Sequence, residues 1–175
     1  FPYVGKGFLD HASAQQFPTK PIKPTLIITA KNLDQAGMKK RGAEGVKVIT
    51  TPEIRWARRD IKTVQLLYPS MGKMMAKKAG VDDAWFTEDG LVTEGTSNNA
   101  YIVKGNRIIT RAAVLRFARE AQMEVEERNF SIDEAKQADE AFITSASAFV
   151  MPVVQIDGAN LGTGKPGKVA GRLRE

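Results

Sequence analysis

The stretch Arg55-Trp56-Ala57-Arg58-Arg59-Asp60-Ile61-Lys62 ends on a lysine, and thirty-two residues after that lysine stands Glu94, in Val92-Thr93-Glu94-Gly95-Thr96-Ser97-Asn98-Asn99-Ala100. The first segment reads as extended chain that presents an amine at its end. The second reads as a strand, Leu91 to Thr93, running into a tight glycine turn that carries a carboxylate. A lysine and a glutamate at some such spacing occur in most proteins, so spacing alone decides nothing. Lys62 could be a surface lysine at a strand end, and Glu94 an exposed turn residue.

The surrounding sequence gives the fold class. Thr25-Leu26-Ile27-Ile28-Thr29-Ala30 is apolar and β-branched and predicts a buried strand. Asn32 to Gln35 predicts a turn or short helix, and Lys39-Lys40-Arg41-Gly42 a solvated basic loop. Val46 to Thr50 alternates as a strand, and Thr51-Pro52-Glu53 breaks it. A helix is expected from Pro69 or Ser70 to Lys78, with Val64, Leu67, Met71, Met74 and Met75 on a core face at helical spacing and Gly80 as its end. Glu88-Asp89-Gly90 is a hairpin turn after Ala84-Trp85-Phe86. A second hairpin joins Asn99–Val103 to Arg107–Thr110 across Lys104-Gly105-Asn106. Ala112 to Ala121 is amphipathic. Val125 to Arg128 predicts a strand, and Ser131-Ile132-Asp133-Glu134 a capping box that opens a short helix. Strands at Ala141–Thr144 and Val150–Ile156, a turn at Asp157-Gly158 and a last helix over Gly167–Arg174 complete the chain. Hairpins mixed with crossovers predict an α/β domain built on a mixed sheet with packed helices.

Composition narrows the function. The 175 residues are 42% hydrophobic, enough to bury one domain core. No apolar run approaches the length of a membrane span, and Phe1-Pro2-Tyr3 does not open a signal peptide. Cysteine is absent, which excludes a disulfide scaffold, a thiolate nucleophile and a Cys-ligated zinc site. It is permissive of a cytoplasmic location rather than diagnostic of one. The one histidine, His11, sits in a polar stretch with no partner pattern for a triad or a metal. The net charge of +6 is scattered among acids, with no nucleic-acid motif. It suits anionic small molecules better than nucleic acid.

The string Arg-Trp-x-Arg-x-Asp-Ile-Lys, then Leu66-Leu67, then Val92 to Ala100, resembles the class IV (fold-type IV) aminotransferases, and within them the D-amino-acid branch. The resemblance runs from about Pro24 to Glu175. It implies a pseudo-barrel mixed sheet, a large cofactor domain over residues 23–175, and a linker or domain remnant over 1–22. It also implies pyridoxal 5'-phosphate. Lys62 would form a Schiff base with the cofactor aldehyde and shuttle the proton at the substrate Cα. A free lysine titrates near about 10.4, so burial would have to lower that value. Glu94 would keep the pyridine nitrogen protonated. Thr96 and Ser97 would donate hydrogen bonds to the cofactor, and Gly95 would allow close approach. Arg55 would support Glu94, an ordinary salt bridge being the equal alternative. Ser145 and Ala146 would meet the phosphate, although the sequence alone reads equally as a small-residue turn.

The implied reaction passes an amino group from a D-amino acid, D-alanine first, to 2-oxoglutarate in a cytoplasmic homodimer. Branched-chain or (R)-amine transfer, aminodeoxychorismate lyase chemistry, and a non-catalytic cofactor domain stand as alternatives. Two departures from the family pattern matter. Its small N-terminal domain, which grips the cofactor phosphate and the substrate carboxylate, has no counterpart in residues 1–22. Where relatives carry a phosphate loop, Ile109-Thr110 runs straight into Arg111-Ala112-Ala113-Val114. Both imply weak cofactor retention and little turnover for this sequence.

Overall fold

A computed structural model of the chain describes residues 26, 28–30, 32–57, 64–111 and 123–174. Lys62, the stretch 58–61 leading to it, the amphipathic segment 112–121 and residues 1–22 lie outside the described residues. The chain divides into Phe1–Leu33 and Asp34–Glu175. In the first unit the described residues carry no regular structure and are exposed, Leu26 and Ile28 included. At the described positions 26 and 28–30, the strand expected over Thr25–Ala30 is therefore not found. A β-branched run becomes a strand only when a neighbour takes its N–H and C=O groups, and composition cannot supply the neighbour.

The second unit opens with α1 (Gln35–Glu44), where a basic loop was expected around Lys39–Gly42. Asp34 caps it, its carboxylate accepting from Gly37 N at 2.9 Å. Nine strands follow among the described residues: β1 (Val46–Pro52), β2 (Asp83–Glu88), β3 (Leu91–Gly95), β4 (Asn99–Lys104), β5 (Arg107–Thr110), β6 (Glu124–Glu127), β7 (Glu140–Ser145), β8 (Phe149–Ile156) and β9 (Ala159–Asn160). The helices are α2 (Leu67–Lys78), α3 (Ile132–Lys136) and α4 (Lys168–Arg172). None is long and apolar enough to cross a membrane.

The sheet runs β3-β2-β1-β8-β7-β4-β5-β6, with β9 paired to β8. β1 is parallel to both β2 and β8, and β5 to β6; the other pairs are antiparallel. The parallel step from β1 to β2 needs a crossover, and α2 lies in it. The two ends of the sheet then meet. Val92 N donates to Phe130 O at 3.0 Å, Ile132 N to Gly90 O at 3.2 Å, and Leu91 bridges Ser131. That closure curls the sheet into the pseudo-barrel form expected from the resemblance, and it covers the β3 edge at Leu91 and Val92.

Alternation along the strands sends one set of side chains inward. Val46, Val48, Trp85, Val92, Ile102, Ile109, Phe130 and Ile156 form the inner core. Trp85 meets Phe130 edge to face at 6.3 Å, so the closing segment is also packed through the middle. The outer face carries Tyr101 stacked on its cross-strand partner Phe142 at 4.8 Å, with α4 residues Val169 and Ala170 packed nearby. Each fully buried side chain of this size contributes roughly 1.5–3 kcal/mol.

Helix α2 reverses one expectation. Its buried residues are Pro69, Gly72 and Ala76, and the Leu67, Met71, Met74 and Met75 side chains are exposed, Leu67 at 78% and Met74 at 71%. The reason lies in the sheet. Phe86 projects toward the helix and stacks on Tyr68 at 5.0 Å. A Cβ on Gly72 would stand 3.0 Å from the Phe86 ring and 3.1 Å from the Thr96 methyl. Only the small-residue stripe lets the helix approach that ring.

Ser131 behaves as half of the expected capping box. Its Oγ accepts from Glu134 N at 3.0 Å. The Glu134 carboxylate turns instead to the Arg128 guanidinium, at 2.8 and 2.6 Å.

Candidate functional site

The site grows from the place where β1 ends beside β2 and β3. Pro52 closes β1, and Glu53 N donates to Thr87 O at 2.7 Å, so the chain leaves β1 still tied to β2. In the β2–β3 ladder Glu94 lies opposite Phe86, which places both side chains on one face of the sheet. Arg55 fills the space between them. Its Nη1 donates to Glu94 Oε1 at 2.7 Å, and its Cζ lies 4.8 Å from the Phe86 ring centre.

The other side of Arg55 belongs to Glu53. Arg55 N and Nε donate to Glu53 Oε1 at 3.0 and 2.8 Å, and Nη2 donates to Oε2. Thr93 Oγ1 is 3.1 Å from the same Oε2. The three charged groups form a chain whose exposure rises outward. The Glu53 side chain is 0% exposed, Arg55 16% and Glu94 38%. Burial alone would push the Glu53 carboxyl up, but the hydrogen bonds and charge of Arg55 outweigh it and hold the group below the usual carboxylate range. Burial alone would lower Arg55, but its two carboxylate partners raise it above its ordinary value.

The turn after Glu94 is built by a second acid. Gly95 N donates to Asn98 O at 2.9 Å, and a Cβ on Gly95 would stand 2.1 Å from Asn98 Oδ1, so the turn requires glycine. Asp83, at the start of β2 and buried, accepts from Thr96 Oγ1 at 2.6 Å and Asn98 Nδ2 at 2.5 Å. Lys73 Nζ on α2 stands 3.4 Å from Asp83 Oδ2.

The structure brings Arg55 and Glu94 together, a contact that both a supporting pair and an ordinary salt bridge would make. Thr96 has one hydroxyl proton, and it goes to Asp83. Ser97 is exposed on the turn. Ser145 ends β7, with three strands between it and β3, and its Oγ accepts from Ala148 N at 3.1 Å. Ala146 beside it is exposed. Glu53 and Asp83 were not foreseen. The signals existed: Glu53 stands two residues before Arg55, a carboxylate close in sequence to a guanidinium, and Asp83 is the carboxylate that opens the apolar run Ala84-Trp85-Phe86.

The donor set suits a flat cationic ring nitrogen. Glu94 offers a partly open carboxylate beside a turn whose glycine makes room for the Asn98 side chain. Ser145 keeps a hydroxyl proton to donate, since its oxygen accepts the internal bond.

Comparison with known proteins places the chain in a family. The Amino-transferase class IV family matches residues 8–156. The chain is 41% identical over 152 residues to a D-alanine aminotransferase of Bacillus licheniformis, covering 80% of this chain and 54% of the relative. It is 35% identical over 171 residues to a D-alanine aminotransferase of Staphylococcus epidermidis, covering 91% of this chain and 60% of the relative. Among solved structures, the Escherichia coli branched-chain amino acid aminotransferase superposes with a TM-score of 0.67 at 25% identity, over 75% of this chain and 50% of that one. The branched-chain amino acid aminotransferase of Thermobaculum terrenum, solved in its PLP-form, superposes at 0.66 with 25% identity, over 78% of this chain and 50% of that one. The chain therefore spans little more than half the length of the curated relatives it matches.

Proposed function

Because the chain belongs to the class IV aminotransferases, we propose that it binds pyridoxal 5'-phosphate and moves an amino group from a D-amino acid, D-alanine first, to 2-oxoglutarate. The observation that carries the cofactor part is the Arg55–Glu94 ion pair at 2.7 Å, seated on Phe86 beside the Gly95 turn. The likeness to D-alanine aminotransferases supports the donor. In this reading residues 23–175 are the cofactor-binding large domain, and the protein works as a cytoplasmic homodimer, as the family resemblance implies.

When bound, pyridoxal phosphate supplies an aldehyde and an electron-withdrawing ring. Lys62 supplies the amine for that aldehyde, then takes and returns the proton at the substrate Cα. Glu94 holds a proton on the ring nitrogen, and Arg55 fixes the carboxylate in place. Ser145 and the backbone at Ala146 would hold the phosphate, and the Thr96–Ser97 turn would contact the cofactor beside Glu94.

A second reading changes only the donor. The solved structures it superposes on are branched-chain enzymes, which favours L-leucine as the competitor to test. A third keeps the cofactor and drops the turnover.

Borohydride reduction of the protein incubated with pyridoxal phosphate, followed by peptide mapping, tests the assignment. Label on Lys62 is the expected result, and label elsewhere ends it. Bleaching of the bound chromophore by D-alanine but not L-leucine or an (R)-amine is expected; the reverse overturns the substrate. Label on Lys62 with no bleaching by any donor leaves the third reading.

A further inference from the structure

We propose that Glu53 is a positioning residue for the cofactor ring, acting through Arg55 to leave the charge of Glu94 available to the ring nitrogen. The inference rests on the cofactor reading above.

The argument is one of charge. An arginine paired with a single glutamate is electrically neutral, and a neutral pair favours a protonated ring nitrogen weakly. Here two carboxylates flank one guanidinium, so the cluster keeps one negative charge. Glu53 takes the larger share of Arg55. It accepts from the backbone N, Nε and Nη2, whereas Glu94 accepts from Nη1. Glu53 is wholly sheltered and Glu94 partly open, so the net charge is presented outward, at Glu94. Thr93 reaches the Glu53 carboxylate from the strand that carries Glu94, and keeps the inner acid in register with the outer one. At an effective dielectric constant near 20, removing one unit charge from such a cluster is on the order of a tenfold effect.

The test compares two ligands on the same protein: pyridoxal phosphate and its analogue with CH in place of the ring nitrogen. Only the first can use the charge at Glu94. Wild type is expected to prefer pyridoxal phosphate. Glu53→Gln is expected to cut its affinity about tenfold and leave the analogue unchanged. Glu53→Asp, which keeps the charge, is expected to recover most of the preference. Equal weakening of both ligands by Glu53→Gln, or no change in either, overturns the inference.

Should Glu53→Gln fail to fold, Thr93→Val, which removes the hydroxyl bonded to the Glu53 carboxylate, is expected to weaken pyridoxal phosphate by a smaller factor and leave the analogue unchanged. Equal weakening of both ligands by Thr93→Val, or no change in either, overturns the role as surely. A wild type that binds both ligands alike, or takes the borohydride label away from Lys62, removes the cofactor reading itself. Lys62 labelling with a clear wild-type preference that Glu53→Gln does not alter removes only the role of Glu53.

Discussion

Asp83 and Thr96 are joined by a 2.6 Å hydrogen bond that ties the start of β2 to the turn following Glu94. Asn98 adds a second bond to the same carboxylate. The turn's conformation therefore depends on a buried acid on another strand.

Asp83→Ala is expected to cost about 3 kcal/mol, because it leaves the Thr96 hydroxyl and Asn98 amide without their acceptor inside the fold. Urea denaturation measures it. Lys73→Met, which removes only the half-exposed cation beside Asp83, is expected to cost under about 1 kcal/mol. A larger effect from Lys73 than from Asp83 would contradict this account of the turn.

Gly72→Ala sets helix propensity against packing. Alanine gains about 1 kcal/mol in a helix interior. The new methyl presses on Phe86 and Thr96 at 3.0–3.1 Å, and neither neighbour is free to yield. Phe86 is stacked on Tyr68 beneath Arg55, and Thr96 is held by Asp83. Overpacking of this kind costs about 1–3 kcal/mol, so a net loss near 1 kcal/mol is expected. A raised melting temperature would show that the helix can lift off the sheet.

The exposed methionines give the opposite expectation. Met74→Lys is expected to change stability by less than about 0.5 kcal/mol, whereas Ala76→Leu forces bulk into the buried stripe and costs about 1–3 kcal/mol. Thermal melts of the two variants decide which face of α2 meets the sheet. A severe loss from Met74→Lys alone would restore the methionine face to the core.

Acid sensitivity follows from Glu53 and Glu134. Arg128 is the main cause at Glu134, and Arg55 overcomes burial at Glu53; both carboxyls sit below their ordinary value of 4.5 in the fold. The folded state then binds fewer protons than the unfolded chain as pH drops. Their contribution is full above about 4.5 and drains away as pH falls through the folded values. Urea midpoints at pH 7, 5 and 3 are expected to be similar for the first two and lower for the third. Glu134→Gln is expected to flatten the drop, and an unchanged slope would mean the Arg128 pair is not felt.

Much of the backbone was legible. Asp89-Gly90 turns the β2–β3 hairpin with φ of 53° and 77°, the left-handed pair that a two-residue hairpin demands. Val46–Thr50, Val150–Ile156 and the Arg107–Thr110 hairpin arm fall where the sequence placed strands. These features depend on nearest neighbours in the chain, and local sterics decide them. The turn or short helix expected from Asn32–Gln35 opens α1, but its run through Lys39–Glu44 was not expected, because those basic residues resemble a solvated loop.

By itself the sequence determined strands β1 to β8, their turns and the family, through the Arg-Trp to Lys62 and Glu94-Gly95 strings. Tertiary structure alone decided which stripe of α2 is buried, that Asp83 holds Thr96, and that Arg55 lies between Glu53 and Glu94. The physical reason is that each of those outcomes is a competition for a partner far along the chain. A side chain's periodicity reports that it can be buried or bonded; only the neighbours that the folded sheet brings within reach determine against what.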